Sequence, residues 1–344
     1  MNDDLLRRMP KVELHRHLEG AFRPEWLLEI AQENGIPLPA SNTESLRPYV
    51  QVTAQDRSLL DFLGKFSVIG QVFTSPLVIE RLTFKVIEEA ARENIHYIEL
   101  RFDPCYMSLC RGIPMPLVAE AILSGRDRAK GRYPKTQVRF IVILQRQLGT
   151  VMGEKALQIA LAYQDQGFVG VDLAGDEVNV PPEPFAGLFS RAERAGFGIT
   201  LHAGEARGSE SVRAAIETCN AQRIGHGVRI TEDPSLRELI RERGIPLEIC
   251  VTSNIQTGAS RTYEEHPIRS FYESGIQVTV STDDPGVSGI DLTHEYGVLK
   301  DKLCFTAKDL QKMNLAAAEA AFLPLSEKTA LKESLELEYR KYSQ

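Results

Sequence analysis

Four short clusters of histidines and carboxylates carry the chemistry open to this sequence. The first is His15-Arg16-His17. In an extended strand, residues i and i+2 point to one face, so both imidazoles can reach one point. Two imidazoles on one point suit a borderline metal such as zinc. The second cluster is His202-Ala203-Gly204-Glu205, a histidine followed closely by an acid. The third is Gly225-His226-Gly227, where flanking glycines allow close approach of backbone and ligand. The fourth is Ser281-Thr282-Asp283-Asp284-Pro285. Its adjacent carboxylates repel each other and call for a cation or a proton. Each cluster also has an ordinary structural reading. In turn these are a packed histidine pair, a capped strand-to-helix turn, a core histidine and an acidic helix start.

Their position along the chain decides between the readings. Eight strand-like runs fall at residues 11–18, 96–102, 138–144, 169–173, 198–202, 223–226, 246–251 and 277–282. Runs such as Phe140-Ile141-Val142-Ile143-Leu144 are continuously apolar, as parallel strands buried on both faces are. Helical periodicity fills the gaps, for example at Leu77, Ile79, Leu82, Val86, Ile87 and Ala90. Thr231-Glu232-Asp233-Pro234 opens another helix, with proline in its first turn. This alternation predicts an α/β fold, a (β/α)₈ TIM barrel, with residues 1–344 as a single domain. An open doubly wound sheet would need a glycine-rich phosphate loop after the first strand, and none is present. Residues 22–94 exceed one crossover helix and predict extra helices over the barrel mouth. Residues 306–344 predict two further helices at the C-terminus, split near Pro324.

All four clusters close a strand run, and the C-terminal ends of barrel strands are where such folds hold their active sites. Independent accidents would not all land there. Together they supply three histidines and a carboxylate for a metal, with one glutamate, one histidine and one aspartate to spare. That has the form of a catalytic metal site with an open position for water. His96, His266 and His294 lie outside the clusters and are assigned to structure.

Composition narrows the partners. The chain has 344 residues, 43% hydrophobic and 25% charged, an ordinary globular balance. Its formal net charge of −7 argues against a DNA or RNA partner. The five cysteines include no Cys-x-x-Cys pair, which fits free thiols in a reducing cytoplasm. No signal peptide is visible, and no apolar run approaches the roughly 20 residues of a membrane span.

The ordered set of motifs resembles the adenosine deaminase family over nearly the whole chain. They are MPKVELHRHLEGA at 9–21, DLAGDE at 172–177, HAGE at 202–205, RIGHG at 223–227, TSN at 252–254 and STDDP at 281–285. The resemblance implies one zinc ion, with His15, His17, His202 and Asp283 as its ligands. It implies that Glu205 protonates the purine N1. By the same match, His226 orients the attacking water and helps deprotonate it. Asp284 bonds the attacking hydroxide and the purine N7, and Gly175 donates its backbone N–H to N3. His17 and Glu19 fall near the ribose 5′ oxygen. SLLDFLGKF at 58–66 resembles the family's lid helix, which would pack Leu59, Phe62 and Phe66 on the base. Ordinary helix core is the alternative reading of those three.

The implied activity is zinc-dependent hydrolytic deamination of adenosine, or of a 5′-modified adenosine, to the inosine form and ammonia. The partner is then a small purine nucleoside. Many adenosine-specific members carry Asp at position 19, whereas Glu19 stands here, as in members acting on adenine or on 5′-altered adenosines. Aminodeoxyfutalosine, methylthioadenosine and adenine are therefore alternative substrates. A two-metal amidohydrolase would carry a bridging lysine at the end of the fourth strand, where this chain has Asp172-Leu173-Ala174-Gly175. A non-catalytic nucleoside binder would leave the polar roles unfilled, and every one is filled.

Overall fold

The structure is a computed structural model that describes residues 3–56 and 58–341. Eight parallel strands pair in sequential order. They are β1 (Lys11–His17), β2 (Ile95–Phe102), β3 (Gln137–Gln145), β4 (Phe168–Ala174), β5 (Gly198–Ala203), β6 (Arg223–His226), β7 (Leu247–Ile249) and β8 (Val278–Val280). The ring closes just past β8, where the Asp283 N–H donates to His15 O at 3.0 Å and the His17 N–H donates to Asp283 O at 2.8 Å. The expected (β/α)₈ barrel is the observed fold, with helices around it.

The last two strands are shorter than their apolar runs. Beyond each of them one backbone N–H bonds to a buried carboxyl group rather than to a neighbouring strand. The Thr282 N–H donates to Glu13 Oε1 at 2.9 Å. The Thr252 N–H donates to Glu295 at 3.2 and 3.3 Å, at the start of the helix Val251–Gln256. Local hydrophobicity could not show that these donors have non-local acceptors.

The added helices lie where the sequence placed them. Pro24–Asn34, Thr43–Val50, Leu59–Gly64, Phe66–Ile69 and Pro76–Arg92 occupy the long first crossover. The expected single lid helix is two helices. Ser58 caps the first by accepting from the Asp61 N–H at 3.2 Å. At Gly64-Lys65 the chain tightens, and the Lys65 N–H bonds back three residues to Phe62 O at 3.1 Å.

At the chain's end, Ala307–Ala320 and Leu325–Arg340 flank the expected break. Phe322, between them, tucks under the barrel. A Cβ on Gly198 would stand 2.1 Å from Phe322 Cγ, so glycine makes room for the ring. The Arg223 guanidinium sits 3.6 Å from that ring's centroid. Among the described residues no helix is long and apolar enough to cross a membrane.

Candidate active site

β1 presents His15 and His17 at its C-terminal end, β5 presents His202, and the turn after β8 presents Asp283. The imidazole nitrogens converge. His202 Nε2 lies 3.1 Å from His15 Nε2 and 3.1 Å from His17 Nε2. Asp283 Oδ1 lies 3.1 Å from His15 Nε2 and 3.2 Å from His17 Nε2. The far nitrogens of two rings decide what these near ones carry. His15 Nδ1 is 2.7 Å from Glu248 Oε2, and His202 Nδ1 is 3.1 Å from Asp172 Oδ1.

Burial opposes ionisation of both carboxyls, but the Arg101 and Arg223 charges beside Glu248 hold it well below the usual range. The Arg101 charge and the hydrogen bond from His202 do the same for Asp172. Ionised carboxylates only accept, so both Nδ1 atoms donate, and in the neutral rings a metal requires both Nε2 atoms carry lone pairs. Lone pairs facing each other at 3.1 Å repel unless a cation lies between them. Asp283 Oδ1 is buried with no hydrogen-bond partner, while Ser253 Oγ holds Oδ2 at 2.7 Å. This donor set fits a divalent metal of zinc type. Histidine backed by carboxylate is the usual support of such ligands.

The backbone is strained at this point. Asp283 has φ +65° and His226 has φ +64°, a region few non-glycine residues adopt and one that concentrates at functional sites. Close approach also requires glycine. A Cβ on Gly225 would stand 2.9 Å from His15 Cε1, and one on Gly20 would stand 1.6 Å from Asp284 Oδ1.

The supporting charges were not singled out from the sequence. Arg101 donates to Asp172 at 2.9 Å and to Glu248 at 2.7 Å. Arg223 donates to Glu248 and to Glu99, each at 2.6 Å. All five side chains are buried inside the barrel. A signal was available: Glu99 and Arg101 stand two apart in the run Tyr97-Ile98-Glu99-Leu100-Arg101-Phe102. Charges on a strand buried on both faces must find partners.

Glu205 follows β5, and its loop is gripped by Glu177. One Glu177 oxygen accepts from the Gly204 N–H and from Ser211 Oγ, both at 2.6 Å. The other accepts from the N–H groups of Glu205, Ala206 and Arg207 at 3.1, 2.6 and 3.1 Å. Thr257 Oγ1 contacts Glu205 Oε1 at 2.9 Å. Burial, then the charges of Asp283 and Glu177, push the Glu205 carboxyl well above its ordinary value. Burial and the Asp283 charge do the same to Asp284, whose Oδ1 has no partner. The acid nearest the metal position is therefore ionised, while its neighbours favour the protonated form.

These groups border one cavity, the concave form of a small-molecule site. His17, Glu19, Gly175, His202, Glu205, Asp283 and Asp284 line it; His15 and His226 stand behind that lining. Leu59, Phe62, Leu63 and Phe66 from the two lid helices supply an apolar wall. Leu59 and Phe62 are also buried against the protein, as ordinary helix core is. Asp103 lines the cavity too and was not anticipated. Glu19 Oε1 accepts from the Asp103 N–H at 2.7 Å. Burial raises Glu19 to about 8 and Asp103 to about 7. Of the remaining histidines, His96 stands near the start of β2 and His294 is exposed on the helix Leu292–Leu303.

Fold and site together define a barrel hydrolase whose acids and metal-competent cluster meet at the C-terminal mouth. A model of the adenosine deaminase family matches residues 10–337. The adenosine deaminase of Escherichia coli (strain SE11) is 40% identical over 327 residues, covering 95% of this chain and 98% of the relative. An Arabidopsis N6-mAMP deaminase is 28% identical with a TM-score of 0.87, over 97% of this chain and 99% of that one. An adenine deaminase from Arthrobacter aurescens shares the fold at a TM-score of 0.90 and 24% identity, over 96% and 99% of the two chains. The chain belongs to the adenosine deaminase family and is a hydrolase acting on carbon–nitrogen bonds.

Proposed function

We propose that the chain deaminates adenosine, or a neutral 5′-modified adenosine, to the inosine form with release of ammonia, using one zinc ion held by His15, His17, His202 and Asp283. The observation that carries this reading is a carboxyl at Glu205, pushed toward its acid form, on the same cavity wall as the metal-competent cluster. Bound there, zinc would lower the pKa of water toward about 7 and supply hydroxide at neutral pH.

The protein's own groups do the rest. Glu205 donates its proton to the purine N1, which makes C6 electrophilic. Water adds at C6; one of its protons leaves with the exocyclic nitrogen as ammonia when that C–N bond breaks, and the other returns to Glu205 as the C6 oxygen becomes a carbonyl. His226 orients the attacking oxygen, and Asp284 bonds it and N7. Gly175 offers its N–H to N3. The apolar wall of Leu59, Phe62 and Phe66 covers the base and excludes water.

The 5′ end of the substrate falls to His17 and Glu19. Five carboxyl groups line the cavity, and among the described residues no lysine or arginine does. Such a lining offers no cationic side chain to pair with a phosphate. In this respect the chain differs in expectation from the relative named for N6-mAMP. Five free cysteines support placement in a reducing cytoplasm.

The test is kcat/KM for adenosine, deoxyadenosine, 5′-altered adenosines, AMP and adenine, followed by ultraviolet absorbance, together with elemental analysis of the purified protein. Adenosine or a neutral 5′-altered adenosine should rank first, with about one zinc per chain. AMP or adenine in first place would refute the 5′ reading. No deamination of any purine in metal-loaded protein would refute the activity itself.

A further inference from the structure

Two buried polar side chains beside the site have no part in the chemistry above. Asn254 is fully buried, and His266 is 3% exposed. They form a chain that ends on His226. The Ile268 N–H donates to His266 Nδ1 at 3.2 Å. His266 Nε2 lies 3.1 Å from Asn254 Oδ1. Asn254 Nδ2 lies 2.9 Å from His226 Nδ1.

One member of this chain has no choice of polarity. A backbone N–H can only donate, so His266 Nδ1 accepts. A neutral imidazole then carries its proton on Nε2, and that proton goes to the Asn254 carbonyl oxygen. The Asn254 amide nitrogen consequently faces His226 and donates to Nδ1. His226 is left with its proton on Nε2. Burial favours the neutral form of the His266 ring. On the other side of the His226 ring, Nε2 is buried with no hydrogen-bond partner. It lies 3.5 Å from Glu205 Oε2 and 4.0 Å from Asp283 Oδ2, both on the cavity wall.

We infer that Asn254 and His266 are positioning residues that fix the ring proton of His226 on Nε2, making His226 a hydrogen-bond donor to the oxygen that attacks the purine. This rests on the function proposed above. Two consequences follow from the chemistry of a ring nitrogen that bears hydrogen. It has no lone pair for a metal. By distance alone His226 could join His15, His202 and Asp283 in a ligand set; the tautomer excludes it and leaves the place to His17. Nor can it take a proton from water. The deprotonating half of the role that the family resemblance implied then passes to another acceptor.

Ring-nitrogen NMR of histidine-labelled, zinc-loaded protein reads the tautomer directly and needs no substrate. The wild type should show His226 with hydrogen on Nε2 and a bare Nδ1. Asn254→Asp offers Nδ1 an acceptor and no donor, so the proton should move to Nδ1. kcat should then fall by about 10²–10³-fold, the cost of one lost donor to a developing oxyanion, with KM within a few-fold. His266→Gln keeps both polarities, accepting from Ile268 and donating to Asn254, whereas His266→Phe fills the space and keeps neither. The glutamine variant should retain the wild-type ring pattern and most of the turnover, and the phenylalanine variant should lose both. A wild-type His226 protonated on Nδ1 would overturn the inference. So would an unchanged ring pattern in Asn254→Asp, or equal turnover in the two His266 variants. If the ring pattern holds while the purine panel shows no deamination, it is the proposed function that falls.

Discussion

Single carboxyl groups set the chemistry, and their environments make them unequal. Glu205 is held toward its acid form by burial and by neighbouring charge, the state a donor to N1 requires. Turnover should therefore be lost on the alkaline side, as pH rises through the raised pKa and Glu205 ionises. Glu205→Gln should keep fold and metal, lose about 10²–10⁴-fold in kcat, and show no such alkaline limb in its residual rate. Steady-state pH profiles with metal analysis check this; near-normal kcat would remove Glu205 from the acid role.

Glu19 gives a stability prediction of defined sign. Its carboxyl rises from 4.5 to about 8 on folding. Between those values the unfolded chain releases a proton that the folded chain keeps, so stability falls as pH rises across that window. Glutamine keeps the acceptor for the Asp103 N–H and removes the ionisation. Glu19→Gln should gain roughly 1–3 kcal/mol near pH 7 and almost nothing near pH 4. Urea unfolding at both pH values tests it, and a pH-independent gain would contradict it. Buried acids at a cavity that cost stability are the expected signature of a functional site.

At the scale of elements, short loops must be held as firmly as strands. The turn carrying Glu205 contains Gly204 at φ +69° and belongs to no regular element. Its backbone donors end on the Glu177 carboxylate, which reaches over from the loop after β4. A neutral amide would turn an NH₂ group toward three of those N–H groups or toward the other two partners. Glu177→Gln should cost roughly 2–3 kcal/mol of stability, through buried donors left unpaired, and should lower kcat at least tenfold by loosening Glu205. Urea unfolding and steady-state kinetics read the two effects separately. Loss of stability with unchanged kcat would make Glu177 a structural clamp only. In the lid, two short helices broken at Gly64-Lys65 place an apolar wall over the cavity, and Lys65 ties them to Pro48 O at 3.0 Å and to Asp56 at 2.9 Å.

Across the whole molecule, the barrel interior carries charge from its floor to its mouth. Phe322 closes the floor against Arg223, and the chain of Glu99, Arg223, Glu248, Arg101 and Asp172 ends on the two histidines that face the metal position. Removing one member of a buried charge network leaves its partners unpaired, at a cost of about 3–5 kcal/mol. Arg101→Met should show that loss in denaturation and should weaken zinc binding by about 10–100-fold, because both supporting carboxylates lose their counter-charge. Chelation of the wild type should abolish activity and lower Tm, and added zinc should restore both. Calorimetry and equilibrium dialysis check these outcomes; unchanged metal affinity in Arg101→Met would separate the network from the site.

Much of this protein is legible in the chain itself, because it follows from local rules. Alternation of apolar strand runs with amphipathic helices specifies a barrel, since parallel strands buried on both faces need that pattern. The barrel then dictates which strand ends carry chemistry, and the four clusters named from spacing alone do meet there. Resemblance to a known family added roles that spacing could not give. Tertiary structure decided what depends on pairing between distant residues. Glu248 and Asp172 fix the donors on His15 and His202 from 233 and 30 residues away. Asp103 joins Glu19 across 84 residues. The ends of β7 and β8 were set by Glu295 and Glu13, on other elements. His266, which has no motif of its own, reaches the site only through Asn254. Periodicity records which side of an element faces the core; it holds no record of which buried charge will find which partner, because that match is made only when the barrel closes.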